Sequence, residues 1–121
     1  MISRIASAIV AVADQDVMRD FFVERLGFTL LTDAEMWPGA RWVEVVPSGG
    51  GTGLVLSAAK DFGRDPDPQY PMTFGCADLV ATAAELRAAG VEVTDPVTEP
   101  WGSYIRVTDP EGRALLVNDK A

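Results

Sequence analysis

The sequence has no histidine and only one cysteine among its 121 residues. The absence of histidine excludes a Ser-His-Asp triad, a histidine general base and every histidine-ligated metal site. A zinc site built from cysteine and histidine is excluded for the same reason, whereas a site made only of carboxylates stays open. Cys76 has no second cysteine to pair with inside the chain. We therefore predict a reducing compartment, the cytoplasm, and not a secreted disulfide scaffold.

Long apolar runs and basic clusters are also missing. No stretch approaches the roughly 20 apolar residues of a membrane span, and we interpret the apolar N-terminal stretch as a strand and not as a signal peptide. Lys and Arg number 10 against 18 Asp and Glu, which gives a net charge of −8. Nothing in this balance favours binding to nucleic acid or to an anionic membrane. A neutral or cationic small molecule suits it better, although the charge can also serve solubility alone.

The pattern of apolar residues repeats once along the chain. In the first half, a β-branched run over residues 4–12 predicts a strand, Asp14 is placed to cap a helix, and Gly27 is placed to end it. In the second half, Asp78 and Gly90 take the same two roles. The other predicted strands lie at residues 28–31, 41–46, 54–56, 72–77, 91–93, 103–108 and 114–117.

This order predicts an α+β fold, because the strands come in runs of three after each helix. We expect one domain over residues 1–121, built from two tandem βαβββ modules. The first module covers residues 1–59, an extended Pro-rich linker covers residues 60–71, and the second module covers residues 72–121. The two modules are expected to form a cupped mixed sheet that carries its helices on the outer face and leaves the inner face for a ligand.

Two groups of motifs resemble a known superfamily. The first runs from Val12-Ala13-Asp14-Gln15-Asp16 to Leu26-Gly27-Phe28, and the second ends in the turn Asp109-Pro110-Glu111-Gly112-Arg113. In this order they resemble the vicinal oxygen chelate superfamily, which includes glyoxalase I, extradiol dioxygenases, fosfomycin-resistance enzymes and bleomycin-resistance proteins. The resemblance covers the whole chain, with Arg113 standing where the superfamily usually has Asn.

The resemblance also implies where metal ligands would lie. Carried over by position, they fall on Ser7, Gly53, Pro71 and Leu116, none of which is a metal ligand of the usual kind. The chelate chemistry of the catalytic members, which polarises substrate oxygens on a divalent ion, is therefore not expected. The resemblance is closest to the metal-free bleomycin-resistance-like members, and we expect no cofactor.

Strand alternation predicts which side chains face the ligand. Val43 and Val45 suit the helix side, which sends Trp42 and Glu44 to the opposite face. The full set of candidate ligand-binding residues is Trp37, Trp42, Glu44, Val55, Trp101, Tyr104, Arg106 and Leu116. Trp42 could instead fill the core, and Glu44 and Arg106 could pair with each other or lie at an exposed strand edge.

Two functions from different classes follow. The first is metal-independent binding and sequestration of an antibiotic-like, aromatic or cationic molecule, as the resemblance to bleomycin-resistance proteins implies. The second is a metal-free lyase or isomerase in which Glu44 is the general base and Arg106 or Tyr104 stabilises an oxyanion. The resemblance further implies a homodimer, and a linker of this length permits the modules to pair within one chain or between two.

Overall fold

The computed structural model describes residues 1–121, which divide into two compact units, Met1–Pro71 and Met72–Ala121. Each unit contains a strand, a helix and then three more strands, so the predicted α+β fold with two tandem modules is confirmed. No helix in the chain is both long enough and apolar enough to cross a membrane.

The first unit contains β1 (Ser7–Val12), α1 (Gln15–Asp20) with a π-helical turn (Phe21–Arg25), β2 (Thr29–Trp37), β3 (Ala40–Val46), β4 (Gly53–Ala58) and a 3₁₀ turn (Ala59–Phe62). Its sheet has the order β1-β4-β3-β2, in which only β1 and β4 run parallel. Fully buried side chains from the sheet and the helix form one apolar core: Val10, Val12, Val43, Val45, Leu56, Met18 and Phe22.

The second unit contains β5 (Phe74–Gly75), α2 (Leu79–Ala88), β6 (Val97–Glu99), β7 (Gly102–Thr108) and β8 (Ala114–Asn118). Its sheet has the order β5-β8-β7-β6, with β5 and β8 parallel. Its core joins one face of the sheet to one face of α2, through Ile105, Val107, Leu115, Val117, Leu79, Ala83 and Leu86.

Both helices begin and end as the sequence predicts. The Asp14 carboxylate accepts a hydrogen bond from the Val17 amide at 3.0 Å, and Asp78 accepts one from the Ala81 amide at the same distance. Each satisfies an amide at the start of a helix that has no partner within the helix. Gly27 and Gly90 have φ angles of +74° and +81°, which the reversal after each helix requires and which favour glycine.

The predicted strand at residues 91–93 is wrong, and an unpredicted strand lies at Val97–Glu99. Residues 92–94 do run beside β7, since the Thr94 amide donates to the Arg106 carbonyl, but Val93 forms only an isolated bridge. Pro96 lies two residues beyond Thr94 and has no amide hydrogen to extend the ladder. The chain therefore pairs with β7 in two separate pieces.

Strand β2 extends to Trp37, six residues beyond its predicted end at Leu31. The extension is largely exposed and mixes polar with apolar residues, and two register shifts interrupt the pairing of β2 with β3. It lies at the edge of the sheet, where a strand needs no continuous apolar face. This is why the apolar pattern did not predict it.

Residues 60–71, the predicted linker, pack against the first unit. Asp67 pairs with the edge of β1: its amide donates to the Ala11 carbonyl, and its carboxylate accepts from the Ala11 amide, both at 2.8 Å. Tyr70 is 8% exposed and its ring lies edge-on to Phe22 at a centroid distance of 6.2 Å. The contact boundary between the units consequently lies after Pro71.

The turn between β7 and β8 contains a buried ion pair. Arg113 and Asp109 are each 4% exposed, and the Arg113 guanidinium donates to Asp109 at 3.1 Å and to Glu111 at 2.8 Å. Asp109 also accepts from the amides of residues 111 and 113, which closes the turn. Burial lowers the pKa of Arg113, but the hydrogen bonds to Glu111 and Asp109 outweigh it and hold that pKa above its usual value.

Candidate functional site

The two central candidates lie side by side on the first sheet. Val43 and Val45 are fully buried against the helix, and the alternation of β3 places Trp42 and Glu44 on the opposite face, which we call the open face. The Trp42 indole nitrogen donates a hydrogen bond to Oε1 of Glu44 at 3.0 Å. Both side chains are half-buried. An aromatic ring and an oriented carboxylate thus share one surface.

The other two first-unit candidates lie on the same face. Val55 of β4 is the register partner of both Glu44 and Ile9, so all three side chains leave one side of the sheet. Val55 is 2% exposed, whereas Ile9 is 52% exposed. Trp37 is the register partner of Ala40. Because Ala40 lies two residues before Trp42 on β3, both of these residues point to the open face, and so does Trp37.

Trp37 is held by a second aromatic ring at the end of β2. Its ring meets Phe62 edge-to-face at a centroid distance of 5.9 Å, and the two residues are 49% and 50% exposed. Large aromatic surfaces of this exposure are more typical of binding surfaces than of core. The sequence indicated Trp37 but not its partner Phe62.

The second unit holds a separate group, which we call the aromatic stack: Trp101, Tyr104 and Arg106. The Trp101 and Tyr104 rings are stacked at 5.3 Å and 11°, and the Arg106 guanidinium lies 5.4 Å from the centre of the Tyr104 ring. Ile105 and Val107 are buried on the other side of β7, as alternation predicts. Trp101 is 53% exposed, so its ring offers surface to a planar molecule.

Leu116 completes the candidate set. It is the register partner of Arg106 and is half-buried. Each charged candidate is engaged within its own unit, Glu44 with the Trp42 indole and Arg106 with the Tyr104 ring. The contacts of Tyr104 are therefore made by its ring, which stacks on Trp101 and lies against the Arg106 guanidinium.

The residues at the four positions where the resemblance places metal ligands do not fit a divalent metal. Ser7 and Gly53 are direct register partners on β1 and β4, Leu116 lies on β8, and Pro71 precedes β5. They offer one hydroxyl and no carboxylate, imidazole or thiolate. Nowhere in the chain do three or more His, Cys, Asp or Glu side chains gather so that they could hold a metal ion.

A cluster of charges on the first unit was not predicted. Asp33 of β2 accepts hydrogen bonds from Arg19 at 2.8 Å and from Arg41 at 3.0 and 3.1 Å, and Asp16 pairs with both arginines. Burial raises the pKa of Asp33, but the two guanidinium groups outweigh it and hold that pKa below its usual value. The cluster ties α1 to the edge of the sheet.

This cluster borders a polar hollow of about 230 Å³. Its lining residues are Ala13, Asp14, Gln15, Asp16, Arg41, Ala58 and Lys60. Gln15 donates to the carbonyls of Arg41 and Leu56 at 3.0 and 2.8 Å, and Asp14 caps the helix. Gln15 and Asp14 thus stabilise the fold at this hollow.

Comparison with known proteins agrees with this architecture. Residues 4–116 match the Glyoxalase family, described as the Glyoxalase/Bleomycin resistance protein/Dioxygenase superfamily. The uncharacterized protein YetH of Bacillus subtilis (strain 168) is 30% identical over 98% of this chain and 100% of its own length.

Two solved structures are similar over nearly their whole length. A superfamily member from Sphaerobacter thermophilus DSM 20745 aligns with a TM-score of 0.89 and 30% identity, covering 98% of both chains. TnmS3, an antibiotic binding protein from Streptomyces sp. CB03234, aligns with a TM-score of 0.83 and 33% identity over 97% of this chain and 95% of its own.

Proposed function

Because the chain belongs to the Glyoxalase/Bleomycin resistance protein/Dioxygenase superfamily, we propose that it binds and sequesters an antibiotic-like small molecule without a metal ion. The observation that carries the proposal is the pairing of Trp42 with Glu44 on the open face. The similarity to TnmS3, an antibiotic binding protein, supports it. Binding without a metal is supported by the residues at the four expected metal positions, which offer a single hydroxyl group and no carboxylate, imidazole or thiolate.

The open face suits a planar group that carries a positive charge. The Trp42 ring gives a flat apolar surface on which a conjugated ring can stack. Oε1 of Glu44 accepts from the indole, and Oε2 is left to accept from a ligand. The net charge of −8 raises the local concentration of cations around the protein.

The aromatic stack supplies a second surface in the other unit. The Arg106 guanidinium already lies over one face of Tyr104, so a ligand ring would meet Trp101. Arg106 disfavours a cation there and favours a carbonyl or phenol oxygen. Taken by itself, the aromatic stack therefore suits a planar group that carries oxygen substituents.

The alternative is a metal-free lyase or isomerase with Glu44 as the general base. The oriented Glu44 carboxylate is the observation that favours it, since a base must be held in position to abstract a proton. Turnover distinguishes the two functions, because sequestration leaves the ligand unchanged.

We place the protein in the cytoplasm as a homodimer. Its single cysteine supports a reducing compartment, and the superfamily resemblance supports the dimer. Light scattering at micromolar concentration should give twice the chain mass of 13.0 kDa. A mass of one chain would contradict the dimer and leave the binding proposal intact.

A titration of polyaromatic bases and neutral analogues, followed by tryptophan fluorescence, tests the function. We expect saturable quenching at a fixed stoichiometry, and recovery of the unaltered ligand when the complex is denatured. The Trp42→Phe variant should lose most of the quenching. Release of a chemically changed ligand would support the enzyme instead.

A further inference from the structure

Gly53 lies directly beneath the carboxylate of Glu44. A β-carbon built on Gly53 would overlap Oε2 of Glu44 and would lie only 3.0 Å from Cδ and 3.2 Å from Cγ of that side chain. Contacts this close force one of the groups to move. The Glu44 side chain therefore adopts its observed position only because residue 53 has no side chain.

The backbone does not explain this glycine. Gly53 is a regular residue of β4, paired with Ser7, and its φ lies outside the left-handed region that favours glycine. Alanine could adopt the same backbone conformation. The three closest contacts of a β-carbon at this position would all be with the Glu44 side chain.

Glu44 is thus held from two sides. The indole of Trp42 fixes Oε1, and the bare backbone of β4 lets the rest of the carboxylate lie flat on the sheet. Gly53 occupies one of the positions where the resemblance places a metal ligand, and the Glu44 carboxylate lies over it. The negative charge at this position therefore comes from β3, the strand next to β4.

The other strand residues of the open face are uncharged. Register and alternation place the strand residues nearest to Glu44 on the same face: Ser7, Ile9, Val55, Trp42, Thr32 and Ala34. None of these six residues is charged. No cation from these strands balances it, and the half-exposed Ile9 lies two strands away on the same face.

We propose that Gly53 is the positioning residue of a preformed carboxylate site, and that Glu44 there binds a protonated nitrogen of a planar ligand. The inference rests on the proposed function for the identity of the ligand but not for the role of Gly53. An ammonium or aromatic N–H⁺ can donate to Oε2 while the ligand's apolar body contacts Trp42 and Ile9.

The role of Gly53 can be tested without any ligand. In ¹⁵N-labelled protein, the indole N–H resonance of Trp42, assigned with Trp42→Phe, reports its hydrogen bond to Glu44. Gly53→Ala should move that resonance to the position seen in Glu44→Ala. Gly49→Ala is the matched control, because Gly49 lies in a loop with no atom within 4 Å of a built β-carbon and no left-handed φ. It should leave the resonance in place.

A double variant separates the clash with Glu44 from a general packing effect. In the Glu44→Ala background, Gly53→Ala should change neither the Trp42 resonance nor the unfolding midpoint. If Gly53→Ala alone does not fold, folding of the double variant would support the proposal. An unmoved resonance in Gly53→Ala, or equal damage with and without the Glu44 side chain, would overturn it.

The ligand class is tested with 9-aminoacridine, a planar cation, against neutral acridine. Gly53→Ala should weaken cation binding by about tenfold or more, the size of a lost charge-assisted hydrogen bond. Gly49→Ala should change it by less than about twofold. Equal binding of the cation by wild type and Gly53→Ala would overturn the ligand class. Failure of wild type to bind either probe would count against the proposed function, while the resonance experiment still decides the role of Gly53.

Discussion

The indole nitrogen of Trp42 and Oε1 of Glu44 are joined by a 3.0 Å hydrogen bond between two residues of one strand. Alternate residues of a strand point to the same side, so the bond does not require any distortion of β3. The bond orients the carboxylate beside the indole ring. The two side chains therefore act as one unit in the proposed binding surface.

Glu44→Gln should weaken binding of 9-aminoacridine by about 1–3 kcal/mol, because it removes a charge that the bound cation shields from water. The free energy of unfolding should change little, since glutamine keeps the volume and can still accept from the indole. Calorimetric titration and urea unfolding of the same variant measure the two effects. Glu24→Gln, an exposed change in the same unit, is the control. Unchanged affinity in Glu44→Gln would contradict the assignment.

Trp42→Ala should weaken binding more than Glu44→Gln does, because it removes the stacking surface and the group that orients the carboxylate. A tryptophan that served only the core would instead cost about 3–5 kcal/mol of stability on truncation. The half-buried position of Trp42 predicts a smaller loss. Urea unfolding measures it, and a variant that merely unfolds would assign Trp42 to the core.

Asp33 should make stability depend on pH in the acid range. Its folded pKa lies below the ordinary value of 3.8, so its contribution is present above that pH and is lost as the pH falls through the folded pKa. Asp33→Asn should thus destabilise the protein most near neutral pH, with a difference that shrinks below about pH 4. Asp95→Asn, in a pair where Asp95 is 89% exposed, is the control. A difference that stays constant with pH would contradict this.

Arg113→Met should destabilise the protein by about 3–5 kcal/mol, because it leaves the carboxylate of Asp109 buried without its cation. Arg87→Met is the matched control, since the Arg87 side chain is 52% exposed and its pair with Asp95 should be worth less than about 1 kcal/mol. Urea unfolding of both variants gives the comparison. Equal effects of the two changes would show that the buried pair has no special weight.

The alternation of Val43 and Val45 with Trp42 and Glu44 was enough to predict their faces, because one side of the strand must be apolar. The N-caps Asp14 and Asp78 were predictable for a similar local reason. Contacts between side chains on different strands could not be predicted in this way. The fit of Glu44 over Gly53 depends on the register of β3 against β4, which no local pattern contains.

The other features that the sequence did not predict lie in exposed segments or in turns. The cluster around Asp33 needs the extension of β2 beyond Leu31, and a strand at the edge of a sheet needs no regular apolar alternation that a sequence pattern could detect. The stacking of Trp101 on Tyr104 depends on the conformation of the turn that precedes β7. Sequence patterns identified both rings as candidates but could not show that they contact each other.

The central claim, binding without a metal, is tested most directly by one calorimetric titration performed twice. Protein dialysed against EDTA and protein dialysed against zinc, manganese and nickel are each titrated with 9-aminoacridine, and retained metal is measured by elemental analysis. We predict the same affinity and stoichiometry in both, with less than one equivalent of metal retained. Binding that appears only in the metal-treated protein, together with one-to-one retention of the metal, would contradict the account.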